Sequence, residues 1–213
     1  MGKHLSQIHL NISDFLKDNG FKLIKSKDVY EKKQGDFKFI IRFFSHTRSY
    51  ETAIEMSIYI EHLPTSKIYK KATSFKYLVG TIGNEIGKIR DNDENEIKSH
   101  FSENIVIESE ADVKEASNII LNLYDSIANP YFNKYGSLHV IDKILNDSPN
   151  IISVHRNDQY NRYSLGLIIA RLNNRENYDE LEKTYNELIK EMADIYIERY
   201  ELVKKYLKEA LDS

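Results

Sequence analysis

The residues best placed to do chemistry are Lys38, Arg42, Glu55 and Tyr59. In Phe37 to Phe44, Lys38 and Arg42 alternate with Phe37, Phe39, Ile41 and Phe43. In Ile54 to Glu61, Glu55, Ser57, Tyr59 and Glu61 alternate with Ile54, Met56, Ile58 and Ile60. Successive side chains of a strand point to opposite faces, so each polar set shares one face. Tyrosine and arginine among charges have the composition of a binding surface. The plain alternative is that Glu55 and Glu61 pair with Lys38 and Arg42 across the strands, each pair contributing ~0.2–1 kcal/mol.

Other signals for chemistry fail at the residues that would complete them. There is no cysteine, which removes disulfides, thiolate metal sites and cysteine nucleophiles together. His4, His9, His46, His62, His100, His139 and His155 are scattered, with no pair one helical turn apart and no H-E-x-x-H, so no metal is expected. Asp91 to Asn95 resembles the opening of a calcium loop, but Glu96 stands where the turn glycine should be and Ser102 where the bidentate glutamate should be. Gly80, Gly83 and Gly87 match neither a dinucleotide fingerprint nor a phosphate loop, and read as bends in an irregular strand. No cofactor is expected. Lys67, Lys70, Lys71 and Lys76 interleave with Tyr69, Phe75 and Tyr77, a composition that suits single strands. The acidic second half argues against nucleic acid, and lysines on an edge strand also block aggregation.

The 213 residues are 41% hydrophobic and 30% charged, enough for a core and a well-solvated surface. The net charge of −3 hides an asymmetry: residues 1–90 carry 16 basic and 9 acidic side chains, the rest 14 and 24. Either the two parts attract each other, or a basic face meets an acidic or phosphate-bearing partner. The amphipathic start lacks the apolar run of a signal peptide, and no stretch approaches the ~18 apolar residues of a membrane helix. A cytoplasmic protein without a membrane partner is expected.

The elements that must position the candidate residues follow from a change of period near residue 110. Before it, apolar residues mostly alternate; after it, they recur at three and four. Leu5, Ile8, Ile12, Phe15 and Leu16 predict a first helix, closed by Gly20. Strands are expected at Phe21 to Lys25, Val29 to Lys33, from Phe37, from Ile54, and at Phe75 to Ile82, with Gln34-Gly35-Asp36 a hairpin turn and Pro64 ending the fourth. Asn104 to Ile107 is a candidate for the sheet edge. Val113 to Ile127 predicts a helix that Pro130 interrupts, Ser137 caps a short helix through Leu145, and Tyr160 to Leu172 forms another. Glu176 to Leu211 predicts one long final helix, ~50 Å if unbroken. Its row Leu181, Tyr185, Leu188, Met192, Ile195, Leu202 and Tyr206 suggests a homodimer seam, against the alternative of packing within the chain. The expected fold is one α+β domain over 1–213. Residues 1–110 supply a helix and an antiparallel meander of four to five strands, and residues 111–213 a helical part packed on it. Leu5, Ile12, Phe15, Phe39, Ile41, Ile54, Met56, Ile58, Ile120, Leu123, Ile168 and Leu188 are expected in the core.

Three short elements carry a family resemblance: Asn19-Gly20-Phe21 after the first helix, the strand Phe37-Lys38-Phe39-Ile40-Ile41-Arg42-Phe43, and Ile168-Ile169-Ala170-Arg171-Leu172. On these, the chain resembles a loose group of bacterial α+β proteins of about this length, some of them immunity-type partners of secreted toxins. The resemblance implies a protein that acts by binding and blocking. It carries over no functional residue. The expectation is therefore a non-enzymatic protein-binding protein. The alternative is an enzyme, or a nucleotide- or nucleic-acid-binding protein, whose site is assembled from residues distant in sequence.

Overall fold

A computed structural model describes residues 3–48, 50–75, 80–91, 104–156 and 159–211. Helix α1 (Lys3–Asp18) is followed by strands β1 (Lys22–Ile24), β2 (Val29–Gln34), β3 (Phe37–Thr47) and β4 (Thr52–His62). Then come α2 (Leu63–Thr73), β5 (Ile82–Glu85), α3 (Ile86–Asp91) and β6 (Ile105–Ile107). The remainder is helical: α4 (Asp112–Leu123), a π-turn (Tyr124–Ala128), α5 (Asn129–Tyr135), α6 (Leu138–Asn146), α7 (Gln159–Leu172), α8 (Tyr178–Leu188) and α9 (Asp194–Leu211). The fold is α+β, and its sheet has six strands, one more than the upper expectation.

The sheet runs β1-β2-β3-β4-β5, every pair antiparallel, and β6 pairs with β4 beside β5. Gly35 takes φ +56° in the two-residue turn between β2 and β3, where a side chain is disfavoured. One face carries Phe39, Ile41, Phe43, Ile54, Met56, Ile58 and Ile60 into the core. Helix α1 covers it with Leu5, Ile8, Ile12 and Leu16. Phe21, Tyr124, Phe132 and Phe39 then form a chain of ring contacts, with centroids 5.1 to 5.9 Å apart, joining the residue before β1 to the π-turn, α5 and β3. The expected core residues lie in this cluster, with Phe15, Leu123 and Leu188 at its edge.

Four expectations change. Pro64 does end β4, but it also opens α2, where its missing N–H costs nothing at the first turn. The alternating Lys, Tyr, Ser and Thr residues had hidden that helix. Pro130 does not break the helical run. It sits at the start of α5, and the wider π-turn before it absorbs the lost hydrogen bond and the ring's bulk. The strand expected from Phe75 begins only at Ile82, with residues 76–79 outside the described set. The single final helix is two. A short 3₁₀ turn and an extended Met192 reverse the chain, so that Glu182 and Asn186 on α8 meet Tyr200 and Lys204 on α9. The proposed seam is split accordingly: Leu181 and Tyr185 are buried, whereas Ile195 (51% exposed) and Leu202 (37%) are not. A different row, Tyr200, Val203 and Leu207, is the buried stripe of α9. Folding back buries the α8 part of the first row and this stripe of α9 against one chain, which a straight helix cannot do.

The edge of β5 is covered by residues 153–156. The Gly83 N–H donates to the His155 carbonyl (2.7 Å), Asn84 Nδ2 to the Val154 carbonyl (2.8 Å), and Arg156 Nη1 to the carbonyls of Gly80 (2.6 Å) and Thr81 (3.0 Å). Gly83 has φ +135°, and a methyl there would lie 2.2 Å from the Ile58 carbonyl oxygen. Gly83→Ala is therefore expected to lower unfolding free energy by about 2–4 kcal/mol. Gly35→Ala, whose methyl would meet open space, should cost about 1 kcal/mol. Urea melts of the two variants check the contrast.

His9 is buried against Tyr30, and His62 takes up Thr65 Oγ1 at 2.8 Å. Burial lowers the pKa of both, outweighing Asp28 beside His9 and Asp36 beside His62. The unfolded chain then binds protons that the folded chain refuses, so stability rises with pH. Stability is expected to be full above the ordinary histidine value of ~6.5 and to fall as pH drops through it. Urea midpoints measured between pH 7.5 and 5.5 should show this slope, and His9→Gln should reduce it.

Candidate functional site

The second face of the sheet is built by the same register. Lys22, Glu31, Ile40, Tyr59 and Gly83 stand in one row across five strands, and Ile24, Val29, Arg42, Ser57 and Glu85 in the next. Lys33, Lys38 and Glu61 flank them on one side, Phe44 and Glu55 on the other. Lys38, Arg42, Glu55 and Tyr59 thus do share a face, as alternation predicts. All four are half-buried and keep part of their surface in solvent.

The cross-strand pairing expected as the plain alternative holds for one pair only. Lys38 Nζ lies 2.6 Å from Glu61 and 3.4 Å from Glu31, and Lys70 approaches Glu61 at 3.7 Å. Burial works against the Lys38 ammonium, but Glu61 and Glu31 outweigh it and raise its pKa. Arg42 pairs with neither Glu55 nor Glu61. It faces Ser57 across the ladder, and its guanidinium lies over the Phe44 ring, 4.3 Å from the centroid. Its Nε is buried without a hydrogen-bond partner. Among the described residues Arg42 makes no ion pair.

Glu55 stands opposite Phe44 and accepts a hydrogen bond from Ser57 Oγ at 3.1 Å. Burial, then the nearby Glu85 carboxylate, raise its pKa against the pull of Ser57 and Lys88. Glu85 itself is held by Lys88 at 2.6 Å. Burial raises the Tyr59 pKa, while Ser57 and Arg42 act the other way. The Tyr59 side chain lies against Gly80 and Gly83, where a methyl would come within 2.8 Å of it. The two glycines therefore make room for this ring, and an aromatic side chain laid over a strand glycine shields its backbone.

Phe44, Glu85 and Lys88 belong to the site but were not among the candidates. Phe44 was legible as the next residue on the Arg42 face. Glu85 and Lys88 reach it only through the β4–β5 pairing, for which the sequence carries no signal. Of the other motifs, Asn92 to Glu96, His100, Ser102, Lys76 and Tyr77 lie outside the described residues. Among the described residues no three His, Asp or Glu side chains gather where a metal could sit.

Among the described residues the face shows no accessible nucleophile: Ser57 is fully buried and bonded to Glu55. What it offers is an aromatic-backed cation on a half-buried, half-polar surface. Lys38 has a structural share in it, because Glu61 is only 5% exposed. Lys38→Met should destabilise by about 1–3 kcal/mol, since it strips a buried carboxylate of its nearest cation. Arg42→Gln should cost less than about 1 kcal/mol, the scale of a surface cation–π contact. Thermal melts of the two variants separate structure from function on one strand. No family model, no curated protein and no solved structure matches the chain.

Proposed function

We propose that this chain is a non-enzymatic protein-binding protein that receives its partner on the open face of the sheet. It would act as an immunity-type protein masks a secreted toxin, by covering a surface. The observation that supports the reading is Arg42 on Phe44 beside Tyr59: a preoriented cation and two aromatic rings, half-exposed, with no ion pair among the described residues. Arginine and tyrosine in such settings dominate binding free energy at protein interfaces.

An enzymatic or nucleotide-binding role would need a cleft with convergent polar groups. The best candidate is a cavity of about 350 Å³ between α5, α6 and the start of α7, lined by Lys134, Lys143, Ser148, His155 and Arg162. Its most buried cation, Arg162, is 1% exposed and donates to the carbonyls of Leu145, Ser148 and Ile151. That closes the C-terminus of α6, a structural task. The sheet face has no such prior engagement for Arg42.

The reading is tested by co-expressing the chain with the products of the genes beside its own and measuring complexes by size exclusion with light scattering. A complex should form, and Arg42→Gln should weaken it at least tenfold while moving the thermal midpoint by no more than ~2 °C. A complex indifferent to both Arg42→Gln and Phe44→Ser would place the partner elsewhere. Self-association abolished by Ile195→Glu would assign the exposed stripe of α9 to a homodimer instead.

A further inference from the structure

Resting on that reading, we infer that the group received at Arg42 is a carboxylate carried by an acidic segment of a partner protein. The inference starts from the charges of the face. Lys38 is engaged by Glu61 and Glu31, and Lys88 by Glu85. Glu55 accepts from Ser57. Lys22, Lys33 and Arg42 are left without an ion pair among the described residues, against Glu55 alone, whose partner Ser57 is neutral, so the uncommitted charge of the face is positive.

The geometry then selects the ligand group. The guanidinium carbon sits over the Phe44 ring, 4.3 Å from its centroid, and the buried Nε is closed to any visitor. Contact falls to the two terminal amino groups, which carry four of the five donors in a fixed fork. Two parallel N–H donors match the two oxygens of a carboxylate, and an arginine fixed by stacking loses little freedom on binding it. A lysine at this place would supply charge without the fork.

The surroundings favour a protein over a nucleic acid. Glu31, Glu55, Glu61 and Glu85 share the face with Arg42. A phosphate chain crossing the sheet would meet these carboxylates, and its own charges repeat every few ångströms. A single aspartate or glutamate on a loop meets only the arginine. Its neighbours on that loop would lie on Phe44 and Tyr59, the half-exposed rings beside Arg42. Lys22 and Lys33 at the rim would add steering toward an acidic partner.

A phage-displayed library of random twelve-residue peptides, panned on the intact protein, tests this without knowing the partner. Enriched peptides should share an Asp or Glu. A synthetic peptide of the consensus should lose at least tenfold in affinity with Arg42→Gln and less with Arg42→Lys, measured by fluorescence polarisation on variants with unchanged melting. Enriched peptides that lack an acidic residue, keep their affinity for Arg42→Gln and lose it with Tyr59→Leu would overturn the carboxylate and leave sheet-face docking standing. Peptides indifferent to both variants would overturn the two together. A twelve-nucleotide single strand that binds in an Arg42-dependent way, with no acidic peptide enriched, would replace carboxylate by phosphate and overturn the inference.

Discussion

The pairing of β3 with β4 is the constraint on which both the core and the candidate site depend. Eleven residue pairs, Phe37 with His62 through Thr47 with Thr52, hold one register without interruption. Because side chains alternate, that register places Phe39, Ile41 and Phe43 with Ile60, Ile58 and Met56 on the core side, and Lys38 and Arg42 with Glu61 and Ser57 on the other. A slip of one residue would send Arg42, Ser57 and Tyr59 into the core and expose the isoleucines. The hydrophobic effect therefore fixes the site indirectly. Burial of the apolar row under α1 and α5 forbids the slip, and the polar row inherits its geometry. The other strands add rows to this ladder, and β5 contributes Glu85 and the glycine that admits the Tyr59 ring.

The helical half spends its polar groups differently. Asp142 is 3% exposed and receives Asn146, Asn173 and Arg175. Arg175 also reaches Asp147 at 2.8 Å. Tyr185 donates to Asn146 Oδ1 at 2.6 Å and to the Leu145 carbonyl at 3.0 Å, packed so closely that only a glycine fits at 166. These groups tie α6, α7 and α8 together, and their buried donors and acceptors are matched within the chain. A satisfied buried network of this kind specifies a fold. Arg42 is the contrast: a cation set over the Phe44 ring with no ion pair among the described residues.

The charge asymmetry along the chain fits the same distinction. If the basic and acidic parts attracted each other, their ion pairs would cross between them. Among the described residues Lys3 with Glu110 does so, but Lys38 with Glu61, Lys70 with Glu61, Lys88 with Glu85 and Arg175 with Asp142 stay within one part. Much of the basic excess of residues 1–90 remains on the surface, part of it at Lys22 and Lys33 on the sheet face. Exposed charge of one sign acts at a distance on what approaches, more than on the fold that carries it.

The period of two in Phe37 to Phe44 and Ile54 to Glu61 determined by itself that Lys38, Arg42, Glu55 and Tyr59 would share a face. The period of three and four determined the first helix and the helical second half, and Ser137 marked its helix start by accepting the Val140 N–H. These features are local: a strand or a cap is encoded within a few residues. Only the tertiary structure decided which sheet face α1 covers, that Arg42 stacks on Phe44 instead of pairing with Glu55, and that Glu85 arrives beside Glu55. It alone also turned the final apolar rows into two antiparallel helices. Periodicity says that a row of side chains must be buried, but not against what. The partner is chosen by packing across the whole chain, where burying Leu181 and Tyr185 together with Tyr200, Val203 and Leu207 on one body outweighs the hydrogen bonds lost at a single break.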